Sequence, residues 1–450
     1  MNIDDIRDLY PITKVKLPGS ERCSPRDLIY FDHAASTHAP KPVLDAYIEM
    51  HTHRYANIHR GEHYLSQISS DMFDHVQDII GDFLGVKDIH TEGIQGIITT
   101  NTTSSLDLAS HVMAETPGKV LTTVMEHHSN ILPHKRRSQV VFANVDENGM
   151  LMLDEIEDIL QKEDIKLVAV SGGSNVTGYV PPVEKIARLA HDAGAKILVD
   201  AAQRIAHMKL EMKPSDHPEH LDFIAGAGHK FYAPFGSAFL MGPVDLFDQA
   251  PPYIPAGGTV AFVTTEEELY LNGPSRQTPG TPNIAGAVAM GEALKFLSSY
   301  GMETLRNHEM VLLEKMLKGL DQIDGVNVLG NVPTSSRVGV VSFTIDGISH
   351  SHGARLLDEI GGIACRNGCF CAHPYMLRLL NVPEEHSANL RKRLIAGEDV
   401  ELPGAIRASI GIYNTQDEVD KFLTVVETIA TKKDSLDMPP KELSMLCGIN

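Results

Sequence analysis

LVDAAQ at residues 198–203 and GAGHK at residues 226–230 decide the fold of this 450-residue chain. Asp200 ends an apolar run that is typical of a buried strand, and Lys230 follows the next such run. In open α/β sheets, ligands bind outside the carboxyl ends of the strands. The two side chains are therefore expected at one ligand-binding edge of a sheet.

Apolar runs on either side of these stretches extend the strand pattern. The predicted strands are residues 94–99, 119–124, 140–143, 166–170, 196–200, 222–225 and 237–241. Helix-length segments such as 103–115 and 182–193 separate several of them, and apolar positions three and four apart predict a helix over 67–84. This alternation is typical of an α/β domain with a mainly parallel seven-stranded sheet covered on both faces.

The pattern changes after residue 241. Residues 243–282 are rich in Pro and Gly, and a helical pattern resumes over 284–320 with a break near 299–301. Two further strands (338–344 and 405–410) and helices near 352–360 and 416–429 predict a smaller α+β domain. The predicted organisation is an N-terminal arm (1–27), a large domain (28–290), a small C-terminal domain (291–432) and a tail (433–450).

The acid and lysine pair suits a pyridoxal 5′-phosphate (PLP) site. There a lysine bonds to the cofactor, and a carboxylate keeps its pyridine nitrogen protonated so that the ring can act as an electron sink. Taken singly, either Asp200 or Lys230 is better explained as a solvated surface side chain.

Composition excludes several classes of protein. The 59 acidic against 39 basic residues give a net charge of −20, which disfavours nucleic-acid and membrane-surface partners. No apolar run approaches the roughly 20 residues of a membrane span, and the first residues lack the apolar centre of a secretory signal. Five cysteines are few for a secreted disulfide scaffold. We therefore expect a cytoplasmic protein.

Ten motifs, in order along residues 29–422, carry a family resemblance. They are YFDHAAST (30–37), YANIHRGEHYLS (55–66), NTTSSLDLAS (101–110), MEHHSNILP (125–133), SNVTG (174–178), VDAAQ (199–203), GHKFYAPFG (228–236), PGTPN (279–283), ACRNGCFCAHP (364–374) and RASIGIYNT (407–415). The chain resembles the class V aminotransferase superfamily, and within it the Suf-type (group II) cysteine desulfurases and selenocysteine lyases. The resemblance implies a fold type I PLP enzyme.

The resemblance also implies cofactor-binding residues. Lys230 would bind PLP and move the substrate's Cα proton, while Asp200 would pair with the pyridine nitrogen. Gln203 and Asn175 would reach the phenolic oxygen. His127 would stack on the ring and act as an acid or base, a role that imidazole suits at neutral pH.

Further residues would hold the phosphate and the substrate. The phosphate would be bound by Thr102 and Thr103 at a helix start, by His229 and, from the partner subunit, by Thr281, which implies a homodimer. The substrate carboxylate would pair with Arg407, with a looser lining of Asn175, Arg366, His59 and Arg60.

Three of the five cysteines, Cys365, Cys369 and Cys371, lie within seven residues. Their spacing lacks the second pair of a zinc site, so no metal is predicted. The resemblance implies instead that the Cys371 thiolate, favoured by Arg366, accepts the substrate's sulfur as a persulfide and that alanine is released. The alternative is a mobile loop with an unemployed thiol. Cys369 is an extra thiol that is either a resolving thiol or inert.

The chain departs from the family pattern at several positions. Asn101 replaces the usual Gly before the paired threonines, and Ala227 replaces a phosphate-binding Ser, for which Ser104 or Ser105 are possible substitutes. An insertion at 381–404 with a basic run at 391–393 is consistent with a cap, a partner site or a solvated helix face. Histidines of hydrophilic loops, such as His220, are expected to be solvated.

The leading hypothesis is a PLP-dependent cysteine desulfurase that converts L-cysteine, or a similar amino acid such as selenocysteine, to alanine. Its persulfide would pass to a sulfur-acceptor protein. One rival is a class V C–S lyase, epimerase or aminotransferase that does not use Cys371. The other is a non-catalytic scaffold or regulatory protein, against which the joint presence of Lys230, Asp200, His127 and Arg407 argues.

Overall fold

A computed structural model describes residues 3–19, 25–89 and 91–432 of the chain. Cys23, Cys447 and the predicted tail (433–450) lie outside the described residues. In chain order the strands are β1 (Lys16–Leu17), β2 (Arg26–Asp27), β3 (Ile29–Tyr30), β4 (Ile94–Thr99), β5 (Lys119–Thr123), β6 (Val140–Ala143), β7 (Ile165–Ser171), β8 (Lys196–Asp200), β9 (Phe223–Ala227), β10 (Ala238–Pro243), β11 (Val260–Val263), β12 (Glu268–Tyr270), β13 (Val326–Val328), β14 (Val340–Ile345), β15 (Ile363–Ala364), β16 (Arg366–Gly368) and β17 (Ala405–Ser409).

The α-helices are α1 (Ile3–Asp8), α2 (Lys41–His53), α3 (Tyr64–Phe83), α4 (Thr102–Val112), α5 (Leu132–Arg137), α6 (Leu153–Lys162), α7 (Val183–Asp192), α8 (Val244–Gln249), α9 (Ile284–Tyr300), α10 (Met302–Asp321), α11 (His350–Gly361), α12 (His373–Leu379), α13 (Glu384–Ile395) and α14 (Gln416–Thr431). Short 3₁₀ helices cover Pro11–Lys14, His128–Asn130, Gly228–Lys230, Gly273–Gln277 and Thr334–Ser336. Among the described residues, no helix is long and apolar enough to cross a membrane.

The large sheet has seven strands in the order β4-β10-β9-β8-β7-β5-β6. Only β10 runs antiparallel to its neighbours, and the other pairs are parallel. This confirms the predicted α/β fold with a mainly parallel sheet, and three strands have the predicted bounds (94–99, 140–143 and 196–200).

Burial on both faces explains why these strands are apolar throughout. Along β8, Ile197 and Val199 join the hydrophobic core on one face, whereas Leu198 joins the core on the other. Successive side chains of a strand point to opposite faces, so a sheet covered by helices on both sides needs an unbroken apolar run. The carboxyl ends of β5, β7 and β8 therefore meet at one edge, to which β9 also delivers Lys230.

The small antiparallel sheet has the order β13-β14-β17-β16 and packs against α10, α11 and α14. Ile29 and Phe31, from the start of the chain, belong to the same hydrophobic core. The predicted helix break near 299–301 is confirmed, because Gly301 (φ 79°) separates α9 from α10. The predicted boundary at residue 290 falls inside α9, and the domain limits stay predictions.

One segment contains more structure than its sequence indicated, and another contains a helix, as in one of the three interpretations that its sequence allows. The Pro- and Gly-rich stretch over 243–282 holds α8, β11, β12 and a 3₁₀ helix, and the insertion over 381–404 holds α13. The elements within 243–282 are too short for an apolar periodicity to be visible in the sequence, and α13 lacks one because Leu390 is its single buried residue.

His134 is fully buried in α5, and neither ring nitrogen has a hydrogen-bond partner among the described residues. Burial lowers the pKa of His134 to about 4, against about 6.5 in an unfolded chain. The unfolded state therefore binds the proton more tightly, so this contribution to stability is complete above about pH 6.5 and is lost as the pH falls towards 4.

The free energy of unfolding of the wild type should fall between about pH 6.5 and about pH 5. We expect this fall to be about 2 kcal/mol smaller in His134→Leu. Urea unfolding at a series of pH values measures this. His75→Leu, which replaces an exposed histidine on α3, is the control. An unchanged acid dependence in His134→Leu would show that this histidine is not buried in its neutral form.

Candidate active site

A cavity of about 90 Å³ opens at the carboxyl edge of the large sheet. It is lined by Asn101, Thr102, Thr103, His127, Ser129, Ser171, Gly173, Asn175, Asp200, Ala202, Gln203, His229 and Lys230. The structure thus brings together every sequence-predicted cofactor residue except Thr281. Sequence reasoning did not find Ser129, Ser171, Gly173 or Ala202, whose lining role follows only from the way the strand ends converge.

Asp200 and Lys230 face the cavity from neighbouring strand ends. Burial raises the pKa of the Asp200 carboxyl, which accepts a hydrogen bond from the Ala202 N–H at 3.0 Å. Burial, and then the charge of Arg407, lowers the pKa of Lys230 to about 8. Lys230 Nζ donates to the Ala34 carbonyl at 2.7 Å, which also accepts from Gln203 Nε2 at 2.7 Å. One carbonyl of the YFDHAAST motif therefore positions both the amine and the amide.

His127 follows β5 and presents an uncharged imidazole at neutral pH. Burial, and then the charge of Lys230, lowers the pKa of His127 to about 4. Its Nδ1 accepts from the Ser129 N–H at 3.1 Å, so the proton of the neutral ring lies on Nε2. The imidazole is thus held in one tautomer.

Glu126, directly before His127, is a buried acid that sequence reasoning missed. Its carboxyl accepts hydrogen bonds from Thr123 Oγ1, Asn130 Nδ2 and Ser171 Oγ, each at 2.7 Å. Burial raises the pKa of Glu126 to about 7. These bonds tie the chain on either side of His127 to the ends of β5 and β7, which fixes the position of the imidazole.

Helix α4 begins at the other end of the cavity. Asn101 caps it in a reciprocal pair with Ser104: Asn101 Oδ1 accepts from the Ser104 N–H at 2.9 Å, and Ser104 Oγ accepts from the Asn101 N–H at 3.2 Å. Ser105 Oγ lies 2.7 Å from Thr99 Oγ1. Ser104 and Ser105 were the candidates to replace the phosphate contact missing at Ala227. Both hydroxyls are already hydrogen-bonded within the protein, and neither serine lines the cavity.

Two polar atoms at the α4 end of the cavity lack hydrogen-bond partners among the described residues. They are Thr102 Oγ1 and His229 Nδ1, both of which are buried. Thr103 Oγ1 lies 2.7 Å from Ser129 Oγ, and both residues line the cavity. Burial, and then the charge of Lys230, lowers the pKa of His229 to about 4. Buried polar atoms without partners are rare in folded proteins, so this cluster fits an oxygen-rich ligand.

The loop of residues 369–372, here called the cysteine loop, lies against the cavity wall. Asn175 Nδ2 donates to the Phe370 carbonyl at 2.6 Å, and the His128 N–H donates to the Cys371 carbonyl at 2.7 Å. Phe370 and Cys371 both have left-handed φ angles, 55° and 56°, which cost free energy in residues with a Cβ. Cys371 is exposed, whereas Cys365 and Cys369 are partly buried, and desolvation raises the pKa of the Cys365 thiol.

Arg407 and Arg366 face each other across the β16–β17 pair and share the carboxylate of Asp32. Arg366 donates to Asp32 from Nε and from Nη2, the latter at 2.7 Å, and Arg407 Nη2 donates to it at 3.3 Å. Arg407 is 2% exposed, and its guanidinium carbon lies 4.7 Å from the centre of the Phe370 ring. Arg407 therefore lies behind the cavity wall, where the Phe370 ring covers it. Sequence reasoning did not assign Asp32.

His59, Arg60 and Thr281 do not line the Lys230 cavity. They line a second, larger cavity of about 670 Å³. Thr281 Oγ1 donates to Asn57 Oδ1 at 3.3 Å, and His59 pairs with Asp74 at 2.9 Å. Within one chain the structure brings these three residues together, apart from the other predicted site residues.

With the sheet, the cavity and the cysteine loop in view, the class of protein is defined. The chain belongs to the aminotransferase class-V family, whose model matches residues 29–422. It is similar to a probable cysteine desulfurase of Synechocystis sp., with 32% identity over 93% of each chain. It is also similar, at 33% identity over 94% of this chain, to a probable cysteine desulfurase of Mycolicibacterium paratuberculosis. The match spans 58% of that protein's own length.

A solved structure agrees with this assignment. The apo structure of a cysteine desulfurase from Thermococcus onnurineus superposes with a TM-score of 0.82 at 32% identity, covering 96% of this chain and 99% of that one. The fold type I expectation is thereby confirmed. The family resemblance drawn from the ten motifs is confirmed as well.

Proposed function

We propose that this protein is a PLP-dependent cysteine desulfurase that converts L-cysteine to L-alanine and takes the sulfur on Cys371 as a persulfide. One observation carries the proposal: Asp200, Lys230 and His127 line a single cavity, and the loop that bears Cys371 is hydrogen-bonded to its wall. The similarity to proteins named cysteine desulfurase over nearly the full chain supports it.

The residues present fit PLP, which the class-V family generally uses. Bound PLP would supply an electron sink for the carbanion formed at the substrate's Cα. Asp200 would hold a proton on the pyridine nitrogen, and Gln203 would donate to the phenolic oxygen. The orphaned Thr102 Oγ1 and His229 Nδ1, together with Thr103 and the α4 N-terminus, would bind the phosphate.

Proton transfer at Cα would fall to Lys230. Because burial brings the pKa of Lys230 down to about 8, a sizeable fraction of its amine is neutral near pH 7.5 and can accept the Cα proton. His127 is neutral at the same pH and carries its proton on Nε2, from which it would donate a hydrogen bond into the cavity. His127 would therefore assist the transfer by orienting its partners, and could act as an acid only after gaining a second proton.

The sulfur step needs the thiolate of Cys371. Its sulfur would bond to the substrate sulfur while the Cβ–S bond breaks, and the bonding electrons would stay with carbon, which takes up a proton. The sum is one cysteine plus one enzyme thiol giving one alanine plus one enzyme persulfide, so no external oxidant is required. An acceptor protein would then remove the outer sulfur.

Arg407 would bind the substrate carboxylate. Its Nε has no hydrogen-bond partner among the described residues, and the Phe370 ring covers the guanidinium. Displacement of Phe370 would expose a buried, oriented cation beside Asn175. Arg366 would stay on Asp32, which it binds at a shorter distance than Arg407 does.

The same proposal includes a homodimer with shared sites. Thr281, His59 and Arg60 line a cavity distinct from that of Lys230, so they would complete the active site of the partner subunit. The free thiols of Cys365, Cys369 and Cys371 support a reducing, cytoplasmic location.

The test is turnover of L-cysteine by the PLP-loaded protein. We expect alanine and persulfide sulfur in equal amounts, and no pyruvate. Pyruvate and sulfide would instead identify a C–S lyase, and amino transfer to a 2-oxo acid would identify an aminotransferase. A preparation that remains colourless and inactive after addition of PLP would contradict the proposal and favour the scaffold.

Ser129 offers a prediction on cofactor affinity. Its hydroxyl lies beside Thr103 in the cavity, where it would compensate for the phosphate contact missing at Ala227. Ser129→Ala should weaken PLP binding by about 10- to 100-fold, the usual effect of one hydrogen bond to a charged group. Equilibrium dialysis against PLP measures this, and Ser138→Ala, outside the cavity, is the matched control. Equal PLP affinity in both variants would rule out Ser129 as a phosphate ligand.

A further inference from the structure

Two histidines and an aspartate form a cluster far from the cysteine loop. His191 lies in the last turn of α7, and His220 and Asp222 immediately precede β9. The cluster therefore lies at the amino ends of β8 and β9, whereas the Lys230 cavity lies at their carboxyl ends. The expectation that His220 is solvated is wrong, because its side chain is only 15% exposed.

The three side chains meet at the Asp222 carboxylate. His191 Nε2 lies 2.9 Å from Asp222 Oδ2, and His220 Nε2 lies 3.3 Å from Oδ1 of the same carboxylate. The three ligand atoms all lie within 4.8 Å of one another, and the two rings stack at 4.0 Å. Asp222 is nearly fully buried, while both histidines keep a solvent-facing edge.

Hydrogen bonds on the far side of each ring fix its tautomer. His191 Nδ1 lies 3.1 Å from the Pro218 carbonyl, and His220 Nδ1 lies 2.7 Å from the His217 carbonyl. A carbonyl oxygen can only accept, so both Nδ1 atoms must donate. Each neutral ring then turns an Nε2 lone pair towards the carboxylate, which also only accepts.

In each of the two histidine–Asp222 contacts, a nitrogen lone pair thus faces an oxygen lone pair. A positive charge, either a proton or a metal ion, is needed between them. A proton on each ring would stack two imidazolium ions at 4.0 Å, beside the Lys196 ammonium that already lies 2.8 Å from Asp222 Oδ1. A single proton would satisfy one ring, but the Nε2 lone pair of the other ring would still face an oxygen of Asp222. A metal ion bound by both Nε2 atoms would satisfy both rings, and because such an ion must lie near the plane of each imidazole, the rings would tilt out of their stack to bind it.

We propose that His191, His220 and Asp222 bind one divalent transition-metal ion of the zinc type, with water as the fourth ligand. Histidine nitrogen and carboxylate oxygen are common zinc ligands, and ligand atoms in a tetrahedral zinc site lie about 3.3 Å apart. Imidazoles that bind metals usually donate their other N–H to a carbonyl or carboxylate, as both do here. Lys196 is 41% exposed, which leaves it free to swing away from Asp222.

The ion would be structural. It would fasten the end of α7 to the segment that leads into β9, and the strand pair β8–β9 carries Asp200 and leads to Lys230. Because it lies at the opposite edge of the sheet, it takes no part in the proposed reaction. The proposal thus stands independently of desulfurase activity.

Zinc titration of chelator-treated protein tests the site. Calorimetry should find one more zinc ion per chain in the wild type than in His220→Gln, and zinc should raise the Tm of the wild type by several degrees but not that of the variant. His75→Gln, which alters an exposed histidine beside an aspartate, is the control and should behave like the wild type.

Equal zinc stoichiometry and equal zinc dependence of Tm in the wild type and His220→Gln would overturn the proposal. If His220→Gln does not fold, the anomalous signal of zinc in crystals of the wild type decides. A peak between the two Nε2 atoms and Asp222 supports the site. A map without a peak there, from crystals soaked in zinc, contradicts it and favours a protonated imidazole cluster.

Discussion

Lys230→Ala is expected to abolish alanine formation from L-cysteine, with a fall in kcat of more than about 10⁴-fold. General acid–base catalysis alone contributes about 10²–10⁴-fold, and the variant also loses the amine that would hold PLP. Lys230 is half-buried, donates to the Ala34 carbonyl at 2.7 Å and lies in the cavity with Asp200. The yellow colour of the bound cofactor should be lost with the activity.

The control for this variant is Lys119→Ala. Lys119 begins a strand of the same sheet and pairs with Glu163 near the surface, so its removal should leave turnover and colour unchanged. Initial-rate assays of alanine, with absorption spectra of each variant, measure both effects. Retention of a tenth of the wild-type rate in Lys230→Ala would contradict the assignment of the amine.

Cys371→Ser is expected to reduce alanine formation by at least about 10²-fold while leaving PLP affinity near that of the wild type. Cys371 is an exposed thiol on a loop bonded to Asn175 and His128, and neither bond depends on its side chain. The serine hydroxyl cannot accept sulfur, so the substrate would bind and its Cα proton would exchange without desulfuration.

The neighbouring thiols provide matched controls. Cys369 packs partly against the large hydrophobic core, and Cys365 packs partly against the other core, where desolvation raises the pKa of its thiol. Cys369→Ser should therefore keep the wild-type rate of alanine formation. Deuterium exchange at Cα separates binding from the sulfur step. Wild-type turnover in Cys371→Ser would exclude the persulfide route and favour a lyase.

The geometry of the cysteine loop connects these two predictions. Two consecutive left-handed residues, Phe370 and Cys371, hold the loop against Asn175, and the Phe370 ring covers Arg407. Left-handed conformations in residues with a Cβ are retained where surrounding contacts compensate for their cost. If Asn175 and Arg407 turned to a substrate carboxylate, those contacts would weaken. Substrate binding would thus release the thiol that it needs.

The large sheet could be predicted because each of its strands is visible in a short stretch of sequence. Strands such as 196–200 are buried on both faces and therefore apolar throughout, and Asp200 and Lys230 stand out because they end such runs. The capping box of Asn101 and Ser104 could also have been predicted, since the two residues lie three apart at the start of a helix. Recognising that pair would have removed Ser104 as a phosphate ligand.

The rest of the site depends on contacts between distant parts of the chain. Asp32 meets Arg366 and Arg407 only because β16 and β17 pair and the chain start packs on them. The cover of Arg407 by Phe370 and the convergence of His191 and His220 on Asp222 likewise follow from tertiary packing. Neither leaves a periodicity or a spacing that a single sequence displays.

The most direct test of the central claim is mass spectrometry of the protein after brief exposure to L-cysteine and trapping of its thiols by alkylation. The account predicts one added sulfur atom on the peptide that contains Cys371, and none in Lys230→Ala. Fragmentation assigns the sulfur to Cys371 or Cys369. Alanine formation with no added sulfur on Cys371 would contradict the account.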